Sequence, residues 1–192
     1  MQKIPMNIPN ILSLYRLITF PFLFALVLAG FENIFSILIC INLITDLLDG
    51  LIARTFKMQT EIGAKLDSIA DMGTYINAFL GIFIFKFQEI EPYIISFIVF
   101  MSLFVFSHIL SLIKFGRLPS LHLYSWKIGG YIQGIFFFML FTVGFFKIYY
   151  IIMITWGILA FSEHIIIQLV IKKMISNAKG LYWVLADKKN NK

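Results

Sequence analysis

The sequence predicts an all-α, polytopic membrane protein with six transmembrane helices, and three observations carry that prediction. Of its 192 residues, 60% are hydrophobic and only 14% charged, and its mean hydropathy is +0.89. Soluble domains carry about 25% charged residues and fewer than half apolar ones. Several apolar runs reach the roughly 20 residues that cross a bilayer. The alternation of a membrane barrel is missing, so helices are the expected element. The basic residues also gather between alternate runs rather than along the whole chain.

The short segment 1–10 reads as an interfacial lead-in, punctuated by Pro5 and Pro9. Pro9-Asn10 suits a helix start. A first span follows from about Ile11 to Ala29, with Arg16 near its beginning, and Gly30 to Asn33 makes a turn. The second span begins near Ile34 and runs past Thr45, so that Asp46, Asp49 and Arg54 fall in its last turns. A polar break from Thr55 to Thr60 precedes a third helix from about Glu61 to Phe85, whose first turns carry Gly63, Asp67 and Asp71. The fourth span is expected from about Tyr93 to Ile113, and the basic loop Lys114 to Pro119 follows it. The fifth is expected from near Ser120 to Phe146, with a polar first half, and the sixth from about Ile148 to Ile171. A basic tail over 176–192 ends the chain, with Tyr182 and Trp183 placed as interfacial anchors. The expectation is one domain over 1–192.

Six spans put Lys3, Arg16, Arg54, Lys57, Lys65, Lys114, Arg117, Lys127, Lys172, Lys173, Lys179, Lys188, Lys189 and Lys192 on one side, leaving Lys86 and Lys147 for the other. Fourteen against two places both termini on the cytoplasmic side. The same distribution explains the net charge of +6 without nucleic acid. Cys40 stands alone, which excludes a disulfide framework and a cysteine-based metal site. Arg16 interrupts the first apolar run and no small-residue cleavage site follows, so a cleavable signal peptide is not expected.

The chemistry concentrates between Asp46 and Asp71. Asp46 and Asp49 are three apart, Asp67 and Asp71 four apart, so on helices each pair shares a face. The second span ends and the third begins on the same side, which brings the pairs together. Four converging carboxylates repel one another unless protons or divalent cations join them. Donors this hard favour Mg²⁺ or Mn²⁺, and two such ions clamp a phosphate between them. Gly50 and Gly63 would let a bulky ligand approach the backbone. Arg54 would neutralise a phosphate or orient a carboxylate. The parts suit transfer at phosphorus. A divalent-cation transporter is the rival from another class, but no broken-helix pair in matched halves supports it.

The run Asp46-x-x-Asp49-Gly50-x-x-Ala53-Arg54, eight residues, then Gly63-x-x-x-Asp67-x-x-x-Asp71 resembles the signature of the CDP-alcohol phosphatidyltransferases at every fixed position. The resemblance implies transfer of a phosphatidyl group from a CDP-linked lipid, CDP-diacylglycerol, to a small alcohol, with release of CMP. It implies that Asp46, Asp49, Asp67 and Asp71 bind two Mg²⁺ or Mn²⁺ ions and that Asp71 takes the hydroxyl proton. Gly50, Ala53 and Gly63 would line the nucleotide site, with Arg54 supporting the acidic cluster. It further implies a homodimer, and with the distribution of basic residues the expected setting is a bacterial cytoplasmic membrane, with the active site opening to the cytoplasm.

The acceptor divides the signals. Pro9-Asn10-Ile11-Leu12-Ser13-Leu14-Tyr15-Arg16 is similar to the opening of glycerophosphate-type and cardiolipin-type members, whereas Asp67-Ser68-Ile69-Ala70-Asp71 looks more like the serine type. Glycerol 3-phosphate is the best guess, with serine, inositol, inositol phosphate and phosphatidylglycerol as alternatives. Lys114 and Arg117, ahead of His122 and Lys127, either contact an acceptor phosphate or serve topology and headgroups. Arg16 either snorkels to the interface or, as the resemblance implies, supports the site. His108 is expected to donate a hydrogen bond between helices, and Glu163 and His164 either face a polar cavity or reach water. Gly130-x-x-x-Gly134 is expected to allow close helix packing.

Overall fold

The computed structural model describes residues 6–117, 121, 123–171, 175 and 178–190, without the side chains of Glu61 and 187–190. Expectations placed on Lys3, Pro5, Pro119, Ser120, His122, Lys172, Lys173 and Lys192, and on the side chains of Lys188 and Lys189, lie outside the described residues. Every regular element among the described residues is helical. Two compact units can be separated, one comprising 1–90 with 137–144 and the other 91–136 with 145–192.

The first unit holds α1 (Ile8–Ala29), α2 (Glu32–Thr55), α3 (Glu61–Phe85) and the short α4 (Phe87–Ile90). Asn7 caps α1 by accepting from the backbone N–H of Asn10 at 3.0 Å. Pro9 fills the first turn, where its missing N–H costs nothing. Gly30 ends α1 in the left-handed region at φ 77°, a conformation that side-chain-bearing residues avoid. Thr60 caps α3, its hydroxyl accepting from the Gly63 N–H at 3.0 Å.

The three long helices meet on small residues and polar bridges, as membrane helices do when lipid removes the hydrophobic drive between them. Asn42 donates to Thr19 Oγ1 at 3.1 Å. Asn77 donates to the Phe20 carbonyl at 3.1 Å. Gly73 admits the Phe20 ring, and Gly81 admits Phe35. Phe35 then packs edge-on to Phe141 with ring centroids 5.4 Å apart. Asn7 reaches the Met58 carbonyl at 3.1 Å, and Asn10 abuts Gly63. The start of α1, the end of α2 and the start of α3 therefore share one end of this unit.

The second unit contains a 3₁₀ turn (Glu91–Tyr93), α5 (Ile94–Phe115), the first part of α6 (Tyr124–Thr142), α7 (Lys147–Val170) and α8 (Leu181–Asn190). Gly157 on α7 admits Phe100 of α5. Gln168 donates to the Ser107 carbonyl at 3.0 Å. Leu121, Leu123, Ile167, Ile171, Ala178 and Val184 form a core under α8. Tyr182 and Trp183 are exposed on α8.

Five helical segments are long and apolar enough to cross a membrane: Ile8–Ala29, Glu32–Thr55, Ile62–Phe85, Phe87–Phe115 and Lys147–Val170. The protein is thus a multi-pass membrane protein. The fifth expected span, from near Ser120 to Phe146, corresponds to α6, which is shorter at 19 residues and is not among those five. Lys127, Gly129, Gly130, Gln133 and Gly134 make its first half polar. Gly130 and Gly134 meet no heavy atom within 4 Å of where a Cβ would stand, so their expected close packing is absent among the described residues. Gly129 packs instead, against Trp156.

Candidate metal centre

One ligand oxygen from each of Asp46, Asp49 and Asp67 lies within 4.8 Å of the others, a spacing that a metal ion can bridge. The i, i+3 spacing on α2 and the i, i+4 spacing on α3 turn both acidic pairs toward α1. Asp49 is the buried member, at 3% exposure, while the side chains of Asp46, Asp67 and Asp71 are 36–39% exposed.

Arg16 sits at the centre. Its buried guanidinium bonds Asp46 Oδ1 at 2.7 Å and Asp71 Oδ1 at 2.5 Å through Nη1. Through Nη2 it bonds Asp67 Oδ1 at 2.6 Å and also Asp49 Oδ2. One oxygen of every carboxylate is tied to the same cation, and the second oxygen of each carries no bond to it. With all four carboxylates ionised, one guanidinium leaves three negative charges uncompensated. The donor set is all oxygen, so the residues fit a hard divalent cation.

Of the two readings of Arg16, the snorkelling one is corrected: the side chain is buried. The signal was in the sequence, since Asn7, Asn10, Ser13 and Arg16 recur every three residues along one ridge of an otherwise apolar helix. Ser13, read in the sequence only as part of the opening run, has its hydroxyl 3.1 Å from Asp49 Oδ2.

Other expected site residues fall nearby with different surroundings. Gly50 is open: a Cβ there would meet only Arg54 Nη2, at 3.6 Å. Arg54 is exposed and donates Nε to the Gly50 carbonyl at 2.9 Å. Ala53, half-buried, accepts from the Met58 N–H at 2.9 Å. Gly63 is buried, and a Cβ there would collide with Asn10 Oδ1 and come within 2.8 Å of Thr60 Oγ1. Glycine at 63 is thus required by helix contact whatever else it lines.

Lys114 and Arg117 belong to the second unit. Lys114 donates to the carbonyls of Gln168 and Leu169, at 2.7 and 3.0 Å, closing the end of α7. Arg117 is exposed and its carbonyl accepts from Ser111 Oγ. Lys127 is exposed, with its ammonium 5.6 Å from the Tyr124 ring centre. Glu163 accepts from Ser125 Oγ at 2.5 Å and from the Leu181 N–H at 2.8 Å, which joins α7 to α6 and caps α8. His164 is fully buried against Trp126 and Gln168 and does not reach water. His108 Nδ1 faces the Phe104 carbonyl of its own helix at 2.8 Å, so among the described residues its bond lies within one helix rather than between two.

The family model for CDP-alcohol phosphatidyltransferase matches residues 6–167, most of the chain and all of the acidic centre. The chain belongs to the CDP-alcohol phosphatidyltransferase family. Among curated CDP-alcohol phosphatidyltransferases, it is 43% identical over 68 residues to the CDP-diacylglycerol–glycerol-3-phosphate 3-phosphatidyltransferase of Salmonella choleraesuis (strain SC-B67), covering 34% of this chain and 37% of that protein. The protein of the same name from Aquifex aeolicus (strain VF5) is 36% identical over 91 residues, 46% of this chain and 50% of the relative. The Escherichia coli (strain K12) protein of that name is 37% identical over 68 residues, 34% of this chain and 37% of the relative. The matches therefore span between about a third and a half of the relatives' lengths. No solved structure gives a significant match.

Proposed function

We propose that this protein is a phospholipid-synthesis enzyme that transfers the phosphatidyl group of CDP-diacylglycerol to glycerol 3-phosphate and releases CMP. The observation that carries the reading is the convergence of the family's four aspartates, from α2 and α3, on one buried arginine. The names of the relatives support the donor and the acceptor.

In this reading Asp46, Asp49, Asp67 and Asp71 hold two divalent ions, Mg²⁺ or Mn²⁺. When bound, these supply charge neutralisation for the donor pyrophosphate and acidify the attacking hydroxyl. Gly50, Ala53 and Gly63 line the nucleotide side, and Arg54 supports the outer edge of the cluster. The acceptor oxygen bonds to the phosphorus that carries the diacylglycerol. The bond from that phosphorus to the bridging oxygen breaks, and its electrons leave with CMP. Asp71 receives the hydroxyl proton. Arg16 keeps the four carboxylates converged while substrates come and go, so little reorganisation is needed at the moment of transfer.

The reading places both termini and the centre on the cytoplasmic side of a bacterial membrane, supported by the fourteen-to-two distribution of basic residues. It treats the chain as one catalytic domain working as a homodimer, and the continuous family match across 6–167 supports the single domain.

The deciding experiment uses purified protein in nanodiscs with CDP-diacylglycerol and a panel of acceptors: glycerol 3-phosphate, serine, inositol, inositol phosphate and phosphatidylglycerol. Mg²⁺-dependent CMP release with formation of phosphatidylglycerol phosphate is the expected result. A different lipid product would reassign the acceptor. Cation flux through liposomes without CMP release would replace the enzyme reading with a transporter.

A further inference from the structure

We propose that Ser13 is a positioning residue for the ion site, fixing the orientation of the Asp49 carboxylate through its hydroxyl. The inference rests on the proposed reading of the four aspartates as ion ligands.

Ser13 is 2% exposed on α1. A serine inside a helix ordinarily returns its hydroxyl to the carbonyl four residues back. Here that carbonyl, Pro9 O, lies 3.2 Å away, but Asp49 Oδ2 of α2 lies 3.1 Å away. One hydroxyl has one proton, and an ionised acceptor forms the stronger bond. The carboxylate therefore competes well for a donor that the helix would otherwise use for itself.

Asp49 is the carboxylate where such a bond matters most. Asp46, Asp67 and Asp71 are each more than a third exposed and can be solvated, whereas Asp49 is buried. Ser13 Oγ and Arg16 Nη2 both approach Asp49 Oδ2. Two donors from successive turns of one helix fix both the position of that oxygen and the plane of the carboxylate. The remaining oxygen is thereby aimed by contacts that are not ligands themselves. Removing outer contacts of this kind typically costs 10–100-fold in metal affinity or activity.

The placement of Ser13 is itself determined. Asn7 is held to the Met58 carbonyl and Asn10 lies against Gly63, so α1 cannot rotate about its axis without losing both contacts. That rotation would carry Ser13 away from α2.

The test compares Ser13→Ala and Ser13→Thr with the unmodified protein, titrating Mn²⁺ and reading free Mn²⁺ by electron paramagnetic resonance. Ser107→Ala, which removes a buried hydroxyl bonded within α5, controls for general loosening. Ser13→Ala should weaken Mn²⁺ binding about tenfold and shift the Mn²⁺ half-saturation of CMP release by the same factor. Ser13→Thr, which keeps the hydroxyl, should restore affinity to within about threefold, and Ser107→Ala should leave it unchanged. An unaltered Mn²⁺ affinity in Ser13→Ala, with only the unfolding temperature lowered, would overturn the inference. Mn²⁺ binding by the unmodified protein without CMP release would defeat the transfer reading alone, and the Ser13→Ala affinity would still decide this one. Failure of the unmodified protein to bind Mn²⁺ would remove both.

Discussion

Arg16 Nη1 and Asp71 Oδ1 lie 2.5 Å apart across 55 residues of chain, joining the first turns of α1 to those of α3. The same guanidinium reaches Asp46, Asp49 and Asp67, so one cation organises carboxylates from two other helices. Replacing it with a neutral side chain leaves those charges facing one another. Arg16→Gln should destabilise the protein by about 3 kcal/mol, the low end of the range for breaking a buried pair, because three partners are partly solvated. Thermal unfolding in detergent checks this. Added Mn²⁺ should raise the unfolding temperature of Arg16→Gln more than that of the unmodified protein, since the ions would take over the lost countercharge.

Asp67→Asn and Asp71→Asn should each lower CMP release by at least about a hundredfold, more than loss of an outer contact usually costs. Both side chains are partly exposed, so the folded yield should change little. Size-exclusion profiles alongside CMP assays test the two halves of the expectation. Near-normal transfer by both variants would contradict the ion-site reading.

Gly63→Ala should destabilise by about 1–3 kcal/mol, the usual cost of overpacking a tight contact. Its Cβ would strike Asn10 Oδ1 and the Thr60 hydroxyl that caps α3. Combining it with Asn10→Ala should recover part of that loss. A double-mutant cycle on unfolding free energies would reveal the coupling, and strictly additive losses would show that the contact is not the cause.

Chelation should abolish CMP release, and Mg²⁺ or Mn²⁺ should restore it. The chain should remain folded meanwhile, because Arg16 already bonds all four carboxylates. Circular dichroism with and without chelator measures that second part.

Lys114 and Arg117 should separate in their effects. Lys114→Ala removes two bonds to the end of α7 and should cost about 0.5–1 kcal/mol, in keeping with an exposed cation at a helix C-terminus. If Arg117 contacts the acceptor phosphate, Arg117→Ala should instead raise the KM for an anionic acceptor. Steady-state kinetics with glycerol 3-phosphate, set beside melting curves, would distinguish the two.

The acidic centre was legible because its evidence is local. Two carboxylate pairs at helical spacing, on helices joined by a five-residue break, have few ways to avoid meeting. Arg16 was harder, since an arginine near the end of an apolar run reads equally well as an interfacial anchor. What separates the readings is a contact 30 to 55 residues away. The contacts of Ser13 and Asn10 were not legible because small polar residues are ordinary near a helix start, and only the three-residue ridge sets them apart. The Gly130–Gly134 expectation failed for a related reason: a small-residue motif states that close approach is permitted, not that a neighbour is there. Lys114 and Glu163 likewise close helix ends, a task that depends on where distant segments terminate.

The arginine belongs to α1, which is made before α2 and α3, the helices that carry its carboxylates. During synthesis α1 must therefore enter the bilayer carrying a cation whose counterions have yet to emerge, an unfavourable arrangement for an arginine in lipid. Its stable seating awaits α3. Biogenesis should then proceed with α1, α2 and α3 partitioning as a group, and a nascent chain arrested before Asp67 should remain extractable where one arrested after Phe85 does not.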